Sequence, residues 1–159
     1  MKPSRNIRSA VSVAIVLLVA VPLTASAQSA AYGALAYVPN AGSPGSVSVI
    51  DTATGNTIST IATGPPSGVA ITPDGTRAYV VTDGEIKVID TSNQSIVATI
   101  TCQCTSYGAA ISPYGGGRLY VGSGNDVKVI NTGTNQIIAT ISGFNAPTGF
   151  AVSPVDYKV

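Results

Sequence analysis

The sequence contains no histidine and only one glutamate, Glu85, among its 159 residues. Histidine is the side chain most often used as a general base and as a metal ligand, so its absence excludes histidine-based triads and histidine metal sites. The serine, aspartate and lysine residues lie in no nucleophile elbow and no S-x-x-K motif. The sequence therefore predicts that this chain is not an enzyme by itself and carries no cofactor and no metal.

Charged side chains are also scarce, at 9% of the chain, whereas 45% of the residues are apolar. Three of the eight basic residues fall within the first ten positions. Beyond residue 27, five basic residues stand against seven acidic ones, which leaves no basic patch and argues against nucleic acid as a partner. The 17 glycines and 10 prolines instead indicate a chain rich in turns and short strands.

Residues 1–27 have the layout of a secretory signal peptide. Three basic residues precede an apolar run at residues 10–23, and Ala25-Ser26-Ala27 supplies the small side chains of a cleavage site before Gln28. The run is shorter than the roughly 20 residues that a membrane-spanning helix needs, which disfavours the alternative of a retained anchor. We therefore expect an exported protein, periplasmic, at the cell surface or secreted, with no membrane attachment after cleavage.

One sequence unit recurs through the mature domain, residues 28–159. Each unit has four short runs rich in Val, Ile, Tyr and Thr, separated by turn residues, and such runs predict strands rather than helices. A marker tripeptide recurs at intervals of 39 and 41 residues, as Ile50-Asp51-Thr52, Ile89-Asp90-Thr91 and Ile130-Asn131-Thr132. The units span about 34–61, 67–100 and 107–141, with a partial unit at 148–159. A unit of about 40 residues with four strands is typical of a β-propeller blade.

The four strands of a unit are named A to D from the innermost outward. Asp51, Asp90 and Asn131 follow strand C, where each side chain can accept a backbone N–H two residues on and close an Asx turn. This structural role makes them poor candidates for catalytic carboxylates. Several strands are apolar on both faces, which predicts a sheet packed between two neighbouring sheets, with neither face meeting water.

Three stretches match one known repeat motif: Tyr37-Val38-Pro39-Asn40, the segment 46–52 and the segment 67–80. On these residues the units resemble the YVTN-type β-propeller repeats of bacterial and archaeal surface and secreted proteins. The resemblance covers nearly all of residues 34–159 and weakens at three places, which are 114–117, 120–123 and 155–157. It implies an all-β propeller fold and a surface or periplasmic location, but no single activity.

The repeat pattern predicts about three blades of four antiparallel strands. The mature chain begins with strands B, C and D, and a last strand A is expected at residues 149–153. Closed propellers usually have about four to eight blades. A homodimer would complete a six-blade ring if strand A of each chain joined the first blade of the other. A piece of a longer product and an open arc also fit the pattern.

Cys102-Gln103-Cys104 is the one unusual group in the sequence, and it falls in the loop between strand D and the next strand A. Cysteine pairs in exported proteins are usually oxidised, so we expect a disulfide between Cys102 and Cys104. An intermolecular pair and a soft-metal or redox site are the alternatives, although two thiolates fall short of a closed metal site. Because the closed loop is so short, its loss should cost little stability.

Aromatic and amide side chains lie on the B–C and D–A loops, which share one face of a propeller. The candidate ligand-binding residues of this face are Asn40, Asp83, Tyr107, Asn125, Phe144 and Asn145. A protein or carbohydrate ligand would suit such a surface, whereas ordinary loop structure is the alternative explanation. Three tyrosines repeat at one position of strand B and are predicted to pack between blades, namely Tyr37, Tyr79 and Tyr120.

The functional prediction is an exported, non-enzymatic β-propeller scaffold or binding module at the cell surface or in the periplasm. The alternative is a fragment of a lactonase-like or redox-associated propeller enzyme.

Overall fold

The computed structural model describes residues 34–105, 108–113 and 117–153. The predicted signal peptide at residues 1–27, the candidate Tyr107 and the segment after residue 153 lie outside the described residues. Within the described ranges the protein has eleven β-strands and no helix, and thus no helix long and apolar enough to cross a membrane.

The strands form three antiparallel sheets in chain order, here called blades 1, 2 and 3. Blade 1 consists of β1 (Leu35–Asn40), β2 (Ser46–Asp51) and β3 (Thr57–Ala62). Blade 2 consists of β4 (Pro66–Ile71), β5 (Arg77–Thr82), β6 (Glu85–Asp90) and β7 (Ser95–Thr101). Blade 3 consists of β8 (Ala109–Ile111), β9 (Arg118–Ser123), β10 (Asp126–Asn131) and β11 (Gln136–Ser142). Strands that are consecutive within a blade are hydrogen-bonded neighbours, as the repeat pattern predicts.

The hairpin between the last two strands of each blade is closed by an Asx turn. In all three blades a side-chain Oδ1 accepts the backbone N–H of the residue two positions later, at 2.8 to 2.9 Å. The accepting side chains are those of Asp51, Asp90 and Asn131. The hydroxyl and backbone N–H of Ser92 bond the Asp90 carboxylate and hold its pKa below its ordinary value. The predicted structural role of these side chains is confirmed.

The outer strand of each blade carries a β-bulge at the same place. Pairing with the neighbouring strand skips one residue, and the skipped residues are Ile58, Val97 and Ile138. All three side chains are exposed. A bulge bends an edge strand out of flat geometry, so it hinders edge-to-edge pairing between molecules.

The prediction that strands are buried on both faces is confirmed for β5 and wrong for the outer strands. In β5 every residue after Arg77 is buried, whereas every residue of β11 is exposed. Middle strands have a strand on either side and a neighbouring blade to pack against. The outer strands lie at the perimeter of the blades, where apolar side chains such as Ile96 meet water.

Two apolar cores hold the blades together, one between each consecutive pair. The core between blades 1 and 2 contains Tyr37, Val47, Val49, Ile61, Ala78, Val80 and Ile89. The core between blades 2 and 3 contains Tyr79, Val81, Ile86, Val88, Ile100, Cys102, Cys104, Leu119, Val121 and Ile130. Blade 2 thus packs one face of its sheet on blade 1 and the other face on blade 3.

Residues 149–153 form no strand, so the prediction of a last strand A is wrong for the described chain. A strand A needs the strand B of its own blade beside it, and the described residues supply none. The segment lies instead against blade 3. A Cβ placed on Gly108, just before β8, would touch the Thr148 carbonyl and come within 3.1 Å of the Phe150 ring.

Candidate functional site

A hollow of about 330 Å³ lies where four connections come together at one end of the blades. These are the β1–β2 loop, the segment that enters β4, the β5–β6 turn and the segment that leads toward β8. The lining residues are Ala41, Pro65, Pro66, Ser67, Thr82, Asp83, Cys104 and Thr105. Prolines and an alanine supply apolar wall, while hydroxyls and one carboxylate supply polar groups.

Asp83 is the charged side chain of this lining, and the turn places it at the tip of blade 2. Strand β5 ends at Thr82, whose hydroxyl donates to the Glu85 carbonyl at 3.1 Å across the turn. Gly84 has a φ of +76°, a conformation that glycine adopts without strain, so the chain reverses directly into β6. Asp83 is exposed and makes no hydrogen bond or ion pair among the described residues. Its carboxylate is therefore available to a ligand.

Cys104, which lines the hollow together with Asp83, forms a disulfide with Cys102. The loop that it closes folds onto Gly84, whose carbonyl accepts the N–H groups of Cys102 and Gln103, each at 3.0 Å. The Gly84 N–H in turn donates to the Cys104 carbonyl at 3.0 Å. The two cysteines are buried, and the bond lies within one chain, unlike the intermolecular alternative.

The same loop also joins blade 2 to blade 3. The Ser123 hydroxyl at the end of β9 donates to the Gln103 carbonyl at 3.0 Å. The Gly124 N–H donates to the Thr105 hydroxyl at 3.0 Å. The disulfide loop thus connects the turns of two blades at the end where the hollow lies, which gives the cysteine pair a structural role.

Asn40 lies apart from the Asp83 hollow. Its Nδ2 donates to the hydroxyls of Ser46 and Ser48, at 3.2 and 2.9 Å, across the hairpin of blade 1. A second hollow of about 440 Å³ is lined by Asn40 together with the β1–β2 loop. The side chain therefore braces its own hairpin, and its amide donor is already engaged.

Asn125, Phe144 and Asn145 lie together in blade 3. The Asn125 carbonyl accepts the Phe144 N–H at 3.0 Å, and Asn125 Oδ1 accepts the Ala146 N–H at 3.2 Å. Asn125 therefore holds the loop after β11 in place. Asn145 is exposed, and Phe144 lines a third hollow of about 350 Å³ with Tyr120 and Val127. Of the predicted ligand-binding residues, Asp83 lines the first hollow, Asn40 the second and Phe144 the third, so the prediction does not correspond to one site.

The described residues contain no group of three His, Cys, Asp or Glu side chains placed to hold a metal ion. The single glutamate, Glu85, accepts from Lys87 Nζ at 2.6 Å in an ion pair on blade 2. Its carboxylate is thereby engaged by a neighbouring cation rather than directed at the hollow.

Six lining residues of the first hollow are absent from the predicted site: Ala41, Pro65, Pro66, Ser67, Thr82 and Thr105. The two prolines gave a usable signal, because adjacent prolines before a strand fix an extended loop at the predicted ligand face. Thr105 gave none, since its position depends on how the disulfide loop folds onto Gly84.

The chain matches no protein-family model and no curated protein. Among solved structures it is similar to hydrazine synthase from Kuenenia stuttgartiensis, with a TM-score of 0.68 and 25% identity over 74% of this chain and 35% of that chain. It is also similar to the WD40 repeats of RRP9, with a TM-score of 0.58 and 20% identity over 67% of this chain and 35% of that one. The structure of U3-55K gives a TM-score of 0.58 and 19% identity over 67% and 36%.

These neighbours have propeller-type folds, so the three sheets are blades of a β-propeller and the predicted fold class is confirmed. The chain spans about a third of the length of each of these solved chains. At these identities the two WD40 similarities carry information on the fold alone.

Proposed function

We propose that the protein is an exported β-propeller of the YVTN repeat type, which acts as a scaffold or binding module at the cell surface or in the periplasm and has no enzymatic activity of its own. The observation that carries the proposal is the hollow at Asp83, where adjoining loops present an unpaired carboxylate beside apolar wall. The signal-peptide layout of residues 1–27 supports export, and the motif at residues 67–80 supports the repeat family.

The ligand that suits this hollow is a carbohydrate or a segment of a protein. The Asp83 carboxylate can accept hydrogen bonds from sugar hydroxyls or from the donor groups of a peptide. Ala41, Pro65 and Pro66 offer apolar surface for the C–H face of a sugar ring or for an aliphatic side chain. Most of the wall is built from tight turns and prolines, so little ordering is needed on binding.

The test is a binding screen with the full chain against an array of cell-surface glycans and an array of peptides. For the ligand found, Asp83→Asn should weaken binding about tenfold or more, because it removes a charged acceptor while keeping the side-chain shape. Titration calorimetry of the wild type and the variant measures this ratio.

The matched control is Asp74→Asn, which changes an exposed aspartate in the turn between β4 and β5, at the opposite end of blade 2. It should leave binding unchanged. An affinity that falls equally in both variants would show that net charge matters and the hollow does not. The absence of any ligand on either array would also count against a binding module.

The similarity to hydrazine synthase favours a second candidate, in which the chain is a propeller part of a larger enzyme. Inspection of the coding sequence that follows this chain separates the two candidates. Further repeats with histidine-bearing loops would favour the enzyme, and a stop codon without them would favour the binding module.

Export makes a separate prediction about the mature N-terminus. In a bacterial host that secretes the full chain, mass spectrometry of the N-terminal peptide of the periplasmic protein should show that it begins at Gln28. The variant Ala27→Arg should block processing, because a cleavage site requires a small side chain at that position. An unprocessed protein retained in the cytoplasm would refute the proposed export.

A further inference from the structure

The two blade interfaces are built from the same pair of surfaces. One surface carries the strand-B tyrosine and is called the tyrosine face; in blade 2 it consists of Tyr79, Ile86, Val88 and Ile100. The other surface carries smaller aliphatic side chains and is called the aliphatic face; in blade 2 it consists of Ala78, Val80 and Ile89. At each interface the tyrosine face of one blade packs on the aliphatic face of the next.

Among the described residues, one surface of each kind has no blade against it. On blade 1 this is the aliphatic face, formed by Ala36, Val38 and Ile50 at the positions of Ala78, Val80 and Ile89. Val38 is 39% exposed, whereas the equivalent Val80 and Val121 are 0% exposed. The exposure of Val38 therefore comes from a missing neighbour and not from its place in the blade.

On blade 3 the unpartnered surface is the tyrosine face, formed by Tyr120, Val127, Val129 and Ile141. Ile141 is 46% exposed, whereas its equivalents Ile61 and Ile100 are 8% and 7% exposed. Val127 and Val129 are 4% exposed, and Phe150 lines one hollow together with Tyr120, Val127 and Ile141, so this face is covered in part.

The tyrosine hydroxyls extend the same pattern. Tyr37 donates to Gln94 Oε1 at 3.0 Å, and Tyr79 donates to the Thr132 carbonyl at 2.8 Å, in each case on the C–D turn of the following blade. The Tyr120 hydroxyl has no such bond among the described residues. Within the described ranges no following blade offers it a turn.

The C–D turn of blade 1 has the same backbone shape as the turns that accept the hydroxyls of Tyr37 and Tyr79. Gln94 and Asn135 occupy one turn position with φ of 60° and 56°, and Gly55 occupies it in blade 1 with φ of 73°. The Gly55 N–H donates to the Asp51 carbonyl at 2.8 Å, just as the Asn135 N–H donates to the Asn131 carbonyl. Because Gly55 offers no side-chain acceptor, the carbonyl of Thr52, at the position of Thr132, is the acceptor for a tyrosine.

We propose that two copies of this chain associate through these surfaces, with the tyrosine face of blade 3 in each copy packing on the aliphatic face of blade 1 in the other. A second copy supplies both missing surfaces at once, and the two equivalent contacts close a ring of six blades with two-fold symmetry. That ring falls within the usual range of about four to eight blades.

The segment 149–153 gives independent support to this arrangement. In the part of the chain that the structure describes, blade 1 has three strands and no inner one, while residues 149–153 repeat the pattern of Gly68-Val69-Ala70-Ile71 in β4. In the associated pair this segment lies beside β1 of the other copy, where it acquires the strand B that it lacks. The free edge of β1 is covered by the same step.

The experiment is light scattering coupled to size-exclusion chromatography on the full-chain protein. The wild type should have about twice the mass of one chain. Val38→Asp and Ile141→Asp should each reduce the mass to that of one chain, because each introduces a charge into a surface that becomes buried on association. Far-UV circular dichroism establishes that each variant keeps its β-structure.

The matched control is Ile138→Asp, on the same strand as Ile141 and similarly exposed at 50%. Its equivalent Val97 is 47% exposed although blade 2 has a blade on either side, so this position does not enter an interface. Ile138→Asp should keep the doubled mass. A folded wild type with the mass of one chain would overturn the proposal. So would a doubled mass that Val38→Asp leaves unchanged, or a polydisperse mixture without a defined mass.

Discussion

Tyr79→Ala is expected to lower the free energy of unfolding by about 3–5 kcal/mol, the usual loss when a large aromatic side chain is removed from a core. The Tyr79 side chain is fully buried between blades 2 and 3, and it packs with Ile86, Val88 and Leu119. Domains of this size are stable by only about 5–15 kcal/mol, so the variant should lose a large part of its stability. Urea unfolding followed by circular dichroism measures the change.

Tyr79→Phe separates the hydroxyl from the ring. This variant keeps the packing but leaves the Thr132 carbonyl without its donor, which should cost about 1–2 kcal/mol. The matched control is Val97→Ala, an exposed apolar residue of the same blade, and its effect should stay within about 0.5 kcal/mol. If Tyr79→Ala cost no more than Val97→Ala, the blades could not be held together by the core described here.

The hydroxyl has a second consequence at alkaline pH. Burial raises the pKa of Tyr79 above its ordinary value of 10.0. Because the folded state favours the neutral phenol, Tyr79 makes its full contribution to the free energy of unfolding below a pH equal to that ordinary value. The contribution is lost as the pH rises through the raised pKa. Tyr79→Phe should therefore show a shallower alkaline loss of stability than the wild type. Burial also raises the pKa of Tyr37, which accounts for part of the loss that remains.

The blade organisation could be predicted because short local sequence motifs determine its strands and turns. Asp90 followed by small polar residues predicts an Asx turn from the geometry of one side chain, and the structure has that turn. Strands such as β6 follow equally from their short runs of β-branched residues. Each of these signals acts over a few residues and needs no knowledge of the remainder of the fold.

The exposure of the outer strands could not be predicted in the same way. Residues 96–98 and 78–81 are both apolar throughout, yet the first are mostly exposed and the second are buried. The difference arises from position within the blade, since neighbouring blades pack along the middle strands and leave the perimeter to water. The bulges at Val97 and its equivalents depend likewise on pairing between strands.

The candidate site was only partly predictable, for a related reason. Asp83 follows from a turn motif and does line the hollow. Asn40 and Asn125 were predicted in the same way, as polar side chains at turns, but their amides bond groups of their own hairpin or loop. Sequence shows which side chains could bind a ligand, whereas competition from nearby backbone and hydroxyl groups decides which remain available.

The variant Cys102→Ala/Cys104→Ala is expected to lower the free energy of unfolding by about 3 kcal/mol, more than the length of the disulfide loop alone implies. Closing so short a loop contributes about 1.5 kcal/mol through the entropy of the unfolded chain. The structure adds a second contribution, because both cysteines are buried in the core between blades 2 and 3. Removing two buried sulfur atoms should cost about 1–2 kcal/mol further.

Reduction of the wild type separates these two contributions. Urea unfolding in the presence of a reductant keeps both sulfur atoms in the core and removes only the crosslink, so it should lose about 1.5 kcal/mol, half the loss of the double variant. Ser123→Ala is the control for the hydrogen bond to the Gln103 carbonyl and should lose about 1 kcal/mol or less.

Amide hydrogen exchange locates the effect within the structure. In the double variant, exchange at the amides of Gly84, Gln103 and position 102 should accelerate, because these amides depend on the folded disulfide loop. Exchange in β2, the middle strand of blade 1, should follow only the change in global stability. Equal losses on reduction and in the double variant would mean that the buried sulfur atoms contribute nothing. Unchanged exchange at Gly84 would mean that the disulfide does not hold this loop against the turn that presents Asp83.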